Sequence, residues 1–182
     1  MSDERDPSRD LWETHAQWWI DGFTAGADAE YEEQILPMAE HELAGGRVAG
    51  QHPALCTPVA ELRDHPQGTP GLLLPLIPPG HVHLSGPPSM ESCTRDVYAE
   101  GWRIGAPQAL RLARTIAGAV AHLHQRGVVH GDLYAHNILW NPERGGAMLS
   151  DFGAATLLPI GLPALRRALQ LLEVRAFGCL LE

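Results

Sequence analysis

A chain of 182 residues can hold one ordinary domain, or a small one with an appendage, and is long enough to bury a sizeable core. Its 22 acidic against 13 basic residues leave a net charge of −9, which weighs against a nucleic-acid backbone or an anionic membrane as the main partner. All thirteen basic residues are Arg, so no Lys is available anywhere in the chain for catalysis or phosphate binding.

The polar start, MSDERDPSRD, lacks the apolar stretch of a signal peptide. No apolar run approaches the ~18 residues of a membrane helix, so a cytoplasmic protein is expected. Residues 11 to 44 read as helix, with Ile35, Met38 and Leu43 on one face, a bend at Pro37 and a stop at Gly45-Gly46. Between Arg47 and Gly71 the composition predicts a short strand within ALCTPVAEL and a loop at HPQGTP, followed by a buried strand from Leu72 to Leu76. Residues 78 to 106, rich in Pro, Gly and Ser, predict irregular chain. Pro107 then opens a helix in which Leu112, Ile116, Ala119 and Leu123 recur at helical spacing until Gly127 closes it. Short strands follow at Val128-Val129, Ile138 to Trp140 and Ala147 to Ser150, the last two joined by a turn at NPERGG. A final helix from about Leu165 carries Leu169, Leu172, Ala176, Phe177 and Leu180, which predict that it is largely buried. Cys56, Cys93 and Cys179 are too scattered for a disulfide framework or a zinc ribbon and read as reduced, mostly buried thiols.

Two acidic centres stand out, in HGDLYAHNIL (130 to 139) and LSDFGAA (149 to 155). The order helix, strand, loop, hairpin, loop brings both to one edge. Any one of these residues alone could simply cap a turn. Jointly, LHQRGVVHGDLYAHNIL, LSDFG and EVRAFGCLLE resemble the catalytic half of a bacterial eukaryotic-like protein kinase, over about residues 107 to 182 and more loosely over 50 to 106. The resemblance implies an α+β, protein-kinase-like fold. It would comprise an N-terminal helical extension (1–47), a truncated small lobe with hinge (48–78) and an incomplete, mainly helical large lobe (79–182) that ends inside its anchoring helix.

The same resemblance implies Mg²⁺ and ATP, and phosphate transfer to a protein Ser or Thr hydroxyl. Phosphoryl transfer needs positioning and charge neutralisation more than covalent chemistry. Asp132 would take or orient the proton of the attacking hydroxyl, and Asn137 and Asp151 would supply oxygen ligands to the metal. His130 would act as the scaffold of the loop, packing under Phe152, while Gly153 lets the chain turn after the metal ligand.

Several positions depart from the kinase pattern. Gly131 stands where many kinases carry Arg, and Tyr134 replaces the Lys two residues after the catalytic Asp. Thr156 is the sole hydroxyl between Gly153 and Glu173, so control by phosphorylation there is not expected. No G-x-G-x-x-G loop and no strand Lys are present, and each lost charge partner costs on the order of 10² to 10³ in rate. In the small-lobe remnant, Leu74 would stand at the back wall of an adenine pocket and the backbone of Leu76 and Ile77 would meet the base. A plain buried strand explains the same residues equally well, and Pro75, Pro78 and Pro79 have no N–H to offer. Three functions are therefore weighed: a protein kinase weakened by these losses, a non-catalytic pseudokinase-like binding module, and a small-molecule phosphotransferase of the aminoglycoside type. A partner supplying missing lobe elements would suit the first two.

HAQWWIDGFTAGADAEYEEQILPMAEHELAG resembles the lead-in of a class I S-adenosylmethionine methyltransferase, although no glycine-rich cofactor loop follows; an unrelated amphipathic helix fits as well. His81 and His83 suit a solvated loop better than a metal site, and His122 and His124 suit structural roles. Arg166 and Arg167 read as a solvated helix face.

Overall fold

Gly45 and Gly46, expected to end the first helix, lie inside it. Helix α1 spans Leu36–Ala49. A Cβ at Gly45 would come 2.7 Å from the Ala155 side chain, and one at Gly46 would come 2.7 Å from the Pro58 ring. These glycines are contact surfaces that let neighbouring chain approach the helix. The stop falls instead at Gly50, where φ is +66° and the N–H bonds back to the Gly46 carbonyl at 2.9 Å.

The computed structural model describes residues 36–62, 71–87, 89 and 96–182. The chain divides by its contacts into residues Met1–Met38 and Ala39–Glu182. The helix was expected over 11 to 44; its part from 11 to 35, with most of the segment that resembles a methyltransferase lead-in, the HPQGTP loop and Cys93 lie outside the described residues. The bend expected at Pro37 falls at their margin.

Strands β1 (Ala60–Leu62) and β2 (Gly71–Leu73) form an antiparallel pair. The buried strand expected from Leu72 to Leu76 is corrected here. β2 ends at Leu73, Leu74 is 46% exposed and Leu76 is 93% exposed. The physical reason is local, because Pro75 cannot donate to a ladder and a two-stranded ribbon leaves one face to solvent.

Helix α2 (Ala106–Arg126) carries Pro107 in its first turn, as expected, and buries Ile116, Ala119, Val120 and Leu123. Gly127 closes it at φ +80°, with its N–H on the carbonyls of Leu123 and His124. Strand β3 (Val82–His83), unforeseen in a stretch read as irregular, pairs with β5 (Ile138–Trp140), which pairs in turn with β6 (Ala147–Leu149). The Asn141 side-chain oxygen accepts the N–H groups of Glu143 (3.0 Å) and Arg144 (2.8 Å), which sets the β5–β6 turn. Strand β4 (Val128–Val129) pairs with β7 (Thr156–Leu157), tying the chain before one acidic loop to the chain after the other. Phe152, Ile116, Leu123, Ile138, Leu149 and Val128 are fully buried at the centre.

Helix α3 (Pro163–Leu180) corrects a second expectation: it is not largely buried. Glu173 is its one buried residue, while Leu171, Leu172 and Val174 are exposed. Ala176, Phe177 and Leu180 pack half-buried against the core, so a single stripe of the helix is covered. Cys56 is buried, with its thiol pushed up by burial and by the nearby Glu42 charge, but Cys179 is exposed. Among the described residues no helix is long and apolar enough to cross a membrane.

Candidate active site

Strand β4 delivers the chain to His130, which is fully buried. Its Nε2–H donates to the Ser150 carbonyl at 3.0 Å, and its Nδ1 accepts the Asp132 N–H at 3.3 Å. The ring meets Phe152 edge-on, with centroids 4.9 Å apart. One imidazole thus touches both loops, beneath Asp132 on one side and beside Asp151 on the other. Burial is the largest influence on this ring and pushes its pKa down, against smaller upward pulls from Ser150, Glu173, Asp132 and Asp151. The neutral Nε2–H tautomer satisfies both hydrogen bonds.

The sign of the pH effect follows. Below about 6.5 the unfolded chain takes up a proton at this residue that the folded chain refuses, so stability rises with pH through that window and is lost on acidification. His52, lowered by burial and by His122, works in the same direction. Urea unfolding is expected to give a smaller free energy at about pH 5.5 than at about pH 7.5. A His130 ring that gains its proton near the ordinary pH of about 6.5 in an NMR titration of the folded protein would contradict the burial of a neutral imidazole.

After His130 the chain turns at Gly131, with φ +83°. A Cβ there would lie 2.4 Å from the Ala154 carbonyl oxygen. The absence of Arg from this position therefore has a steric cause, because the two acidic loops approach each other too closely for any side chain. Gly131→Ala is expected to destabilise the fold by roughly 2–4 kcal/mol, combining left-handed backbone strain with the clash. A thermal melt unchanged by that substitution would mean that the loops stand further apart.

The 3₁₀ turn Ala135–Asn137 follows, and Asn137 is buried. Its Nδ2 donates to both the Asp132 carbonyl (2.9 Å) and Asp132 Oδ2 (2.8 Å). With both amide hydrogens directed at Asp132, the amide oxygen faces away from that carboxylate as an acceptor. The Asn137 carbonyl also accepts the Ser150 N–H and hydroxyl, each at 2.9 Å. The β5–β6 register, Ile138 opposite Leu149, carries this pairing to the end of the hairpin and sets Asp151 one residue beyond it. Asp151 is exposed, holds φ +63° and accepts the Gly153 N–H at 3.1 Å. A left-handed Asp outside a glycine turn is uncommon and is found where a carboxylate must be aimed. The donor set, a neutral amide oxygen and a carboxylate, has the oxygen chemistry that suits a hard divalent cation.

Two further residues complete the site, and neither was singled out from sequence. Glu173, on α3, is buried and accepts three hydrogen bonds: from the N–H of His130 (2.5 Å), from the N–H of Gly131 (3.0 Å) and from His124 Nε2 (2.7 Å). It braces the loop carrying Asp132 from below. The signal was present, as the first residue of EVRAFG and the sole acid of that helix. Glu42, on α1, lies near the Phe152 backbone, and its carboxyl is pushed up first by burial and then by the Asp151 charge. It was missed because the segment was read as belonging to an extension. Leu74, Leu76 and Ile77 lie on the chain after β2, the first two exposed and the last half-buried.

The loop with Asp132 and Asn137, the loop with Asp151 and the acidic brace beneath the first thus stand together at one end of the β5–β6 hairpin. Residues 88–165, less than half of the chain, match the family model described as protein kinase domain. Part of the chain is similar to serine/threonine-protein kinase PrkC of Bacillus subtilis, 43% identical over 51 residues, which is 28% of this chain and 8% of that protein. CBL-interacting protein kinase 22 of Oryza sativa subsp. japonica is 45% identical over 53 residues, covering 29% of this chain and 12% of that protein. Protein kinase gsk3 of Schizosaccharomyces pombe is 40% identical over 45 residues, 25% of this chain and 12% of its own. The matching stretches thus span only a small part of each relative. The mixed helix and strand content agrees with a kinase-like α+β fold for the segment that holds the site.

Proposed function

We propose that the chain is a kinase-like phosphotransferase that uses Mg-ATP to phosphorylate a Ser or Thr hydroxyl on a protein, acting in the cytoplasm. The observation that carries this reading is the Asp132–Asn137 contact at the same end of the β5–β6 hairpin from which Asp151 emerges. In the reaction the acceptor oxygen bonds the terminal phosphorus while its proton passes to the Asp132 carboxylate. The bridging P–O bond breaks, and ADP leaves with the electron pair. Asn137 Oδ1 and the Asp151 carboxylate would hold Mg²⁺, which neutralises phosphate charge when bound. His130 and Glu173 keep the loop in register, and Leu74, Leu76 and Ile77 border the space for adenine in this reading. Mg²⁺-dependent binding of ATP by titration calorimetry is expected with the full chain. Heat signals that are the same with and without the metal would end the enzymatic reading.

A second reading, a non-catalytic binding module, is favoured by the absence of Lys, by Tyr134 at the usual Lys position and by the exposure of Leu74 and Leu76. Asp132→Ala leaving the biological output intact would support it. Transfer to aminoglycosides but not to peptides would instead point to a small-molecule acceptor.

A further inference from the structure

Asn137 sits at the last position of a three-residue 3₁₀ turn, an element too short to hold itself in place. The residue preceding the turn, Tyr134, offers no side-chain cap. The free N–H at its start, that of Ala135, is taken instead by Asp96, 39 positions earlier in the sequence, at 2.9 Å from Oδ1. The Ser85 hydroxyl stands 3.3 Å from the same oxygen and shares its one hydrogen between it and the Gly86 carbonyl at 3.2 Å. Asp96 Oδ1 also stands 3.6 Å from His136 Nδ1, and the opposite nitrogen of that ring lies 3.9 Å from Asp132 Oδ2. The His136 ring is stacked on Tyr134, with centroids 5.6 Å apart and planes 18° from parallel. Its backbone carbonyl meets His83 Nδ1 at 2.6 Å. Asp96 is thus the point from which the turn carrying Asn137 and the imidazole facing Asp132 are both held. Its side chain is only 16% exposed.

We propose that Asp96 is a positioning residue for the catalytic turn, acting through the Ala135 N–H and the His136 ring on Asn137 and Asp132; the kinetic part of this proposal rests on the phosphotransferase reading. Displacing a catalytic group by as little as 1 Å costs up to about 10²-fold in rate, so a remote cap on so short a turn has leverage.

The test compares Asp96→Ala with Asp96→Asn in the full chain. The Asn side chain keeps an oxygen that can accept from Ala135 and Ser85; Ala keeps none. For peptide phosphorylation, Asp96→Ala is expected to lower kcat on the order of tenfold, and Asp96→Asn to recover most of it. Independently of turnover, deuterium exchange at the Ala135 amide, followed by NMR, is expected to speed up on the order of tenfold in Asp96→Ala and to stay slow in Asp96→Asn. Exchange that is the same in all three proteins overturns the proposal, and so does an Asn variant as slow as Ala in turnover. If the unsubstituted protein transfers no phosphate, the phosphotransferase reading falls, while the exchange comparison still decides whether Asp96 holds the turn.

Discussion

Glu173→Ala is expected to destabilise the protein by on the order of 3–5 kcal/mol, more than truncation of any other side chain at the site. The carboxylate is buried, and its two oxygens serve three donors: the N–H groups of His130 and Gly131 and the His124 ring. Removing it strands the buried His130 N–H and takes the acceptor from the part-buried Gly131 N–H and His124 ring, and each buried group left unsatisfied costs about 1–3 kcal/mol. Glu173→Gln keeps one acceptor oxygen for the two backbone groups but turns an amide N–H₂ toward His124, so a loss of about half that size is expected. Urea unfolding of the three proteins checks the order. If Glu173→Ala melts like the parent, Glu173 does not hold the loop that carries Asp132.

Asp132→Asn is expected to lower phosphate transfer by about 10² to 10⁴-fold, the range ordinarily contributed by a positioned general base. Asn retains an oxygen that can accept the Asn137 Nδ2 hydrogen bond now made to Oδ2 at 2.8 Å, so folding should be nearly unaffected. The readout is therefore a rate that collapses while the urea midpoint stays in place. Comparable turnover by the two proteins would show that Asp132 takes no proton, and the chemistry would have to be sought elsewhere.

Much of the fold around the site was legible because its signals are local. Helix α2 follows from Pro107, the spacing of Ile116, Ala119 and Leu123, and Gly127, all read within one segment. Strands β4, β5 and β6 announced themselves as short apolar pieces between turn residues. The errors arose where a residue answers to something distant. Gly45 and Gly46 look like a helix stop until Ala155 and Pro58 are found against them. Leu72 to Leu76 look like a buried strand until Leu74 is found half-exposed and Leu76 almost wholly exposed. The leucines of α3 look like core for the same reason, since apolar character in a sequence does not say which neighbours are present to bury it.

By itself, then, the sequence determined the residue types of the candidate site and their order: an Asp and an Asn five positions apart, and a second Asp beyond a hairpin. Side-chain chemistry and short spacings are properties of the covalent chain, and they survive without a fold. The tertiary structure alone decided what holds those groups in place: Glu173 under the His130–Gly131 backbone, Glu42 against Phe152, Asp96 on Ala135, and a glycine at 131 because Ala154 leaves no room. Each of these contacts joins residues more than twenty positions apart, and only the packing of α1, α2 and α3 around the β5–β6 hairpin brings such pairs within hydrogen-bond or van der Waals distance.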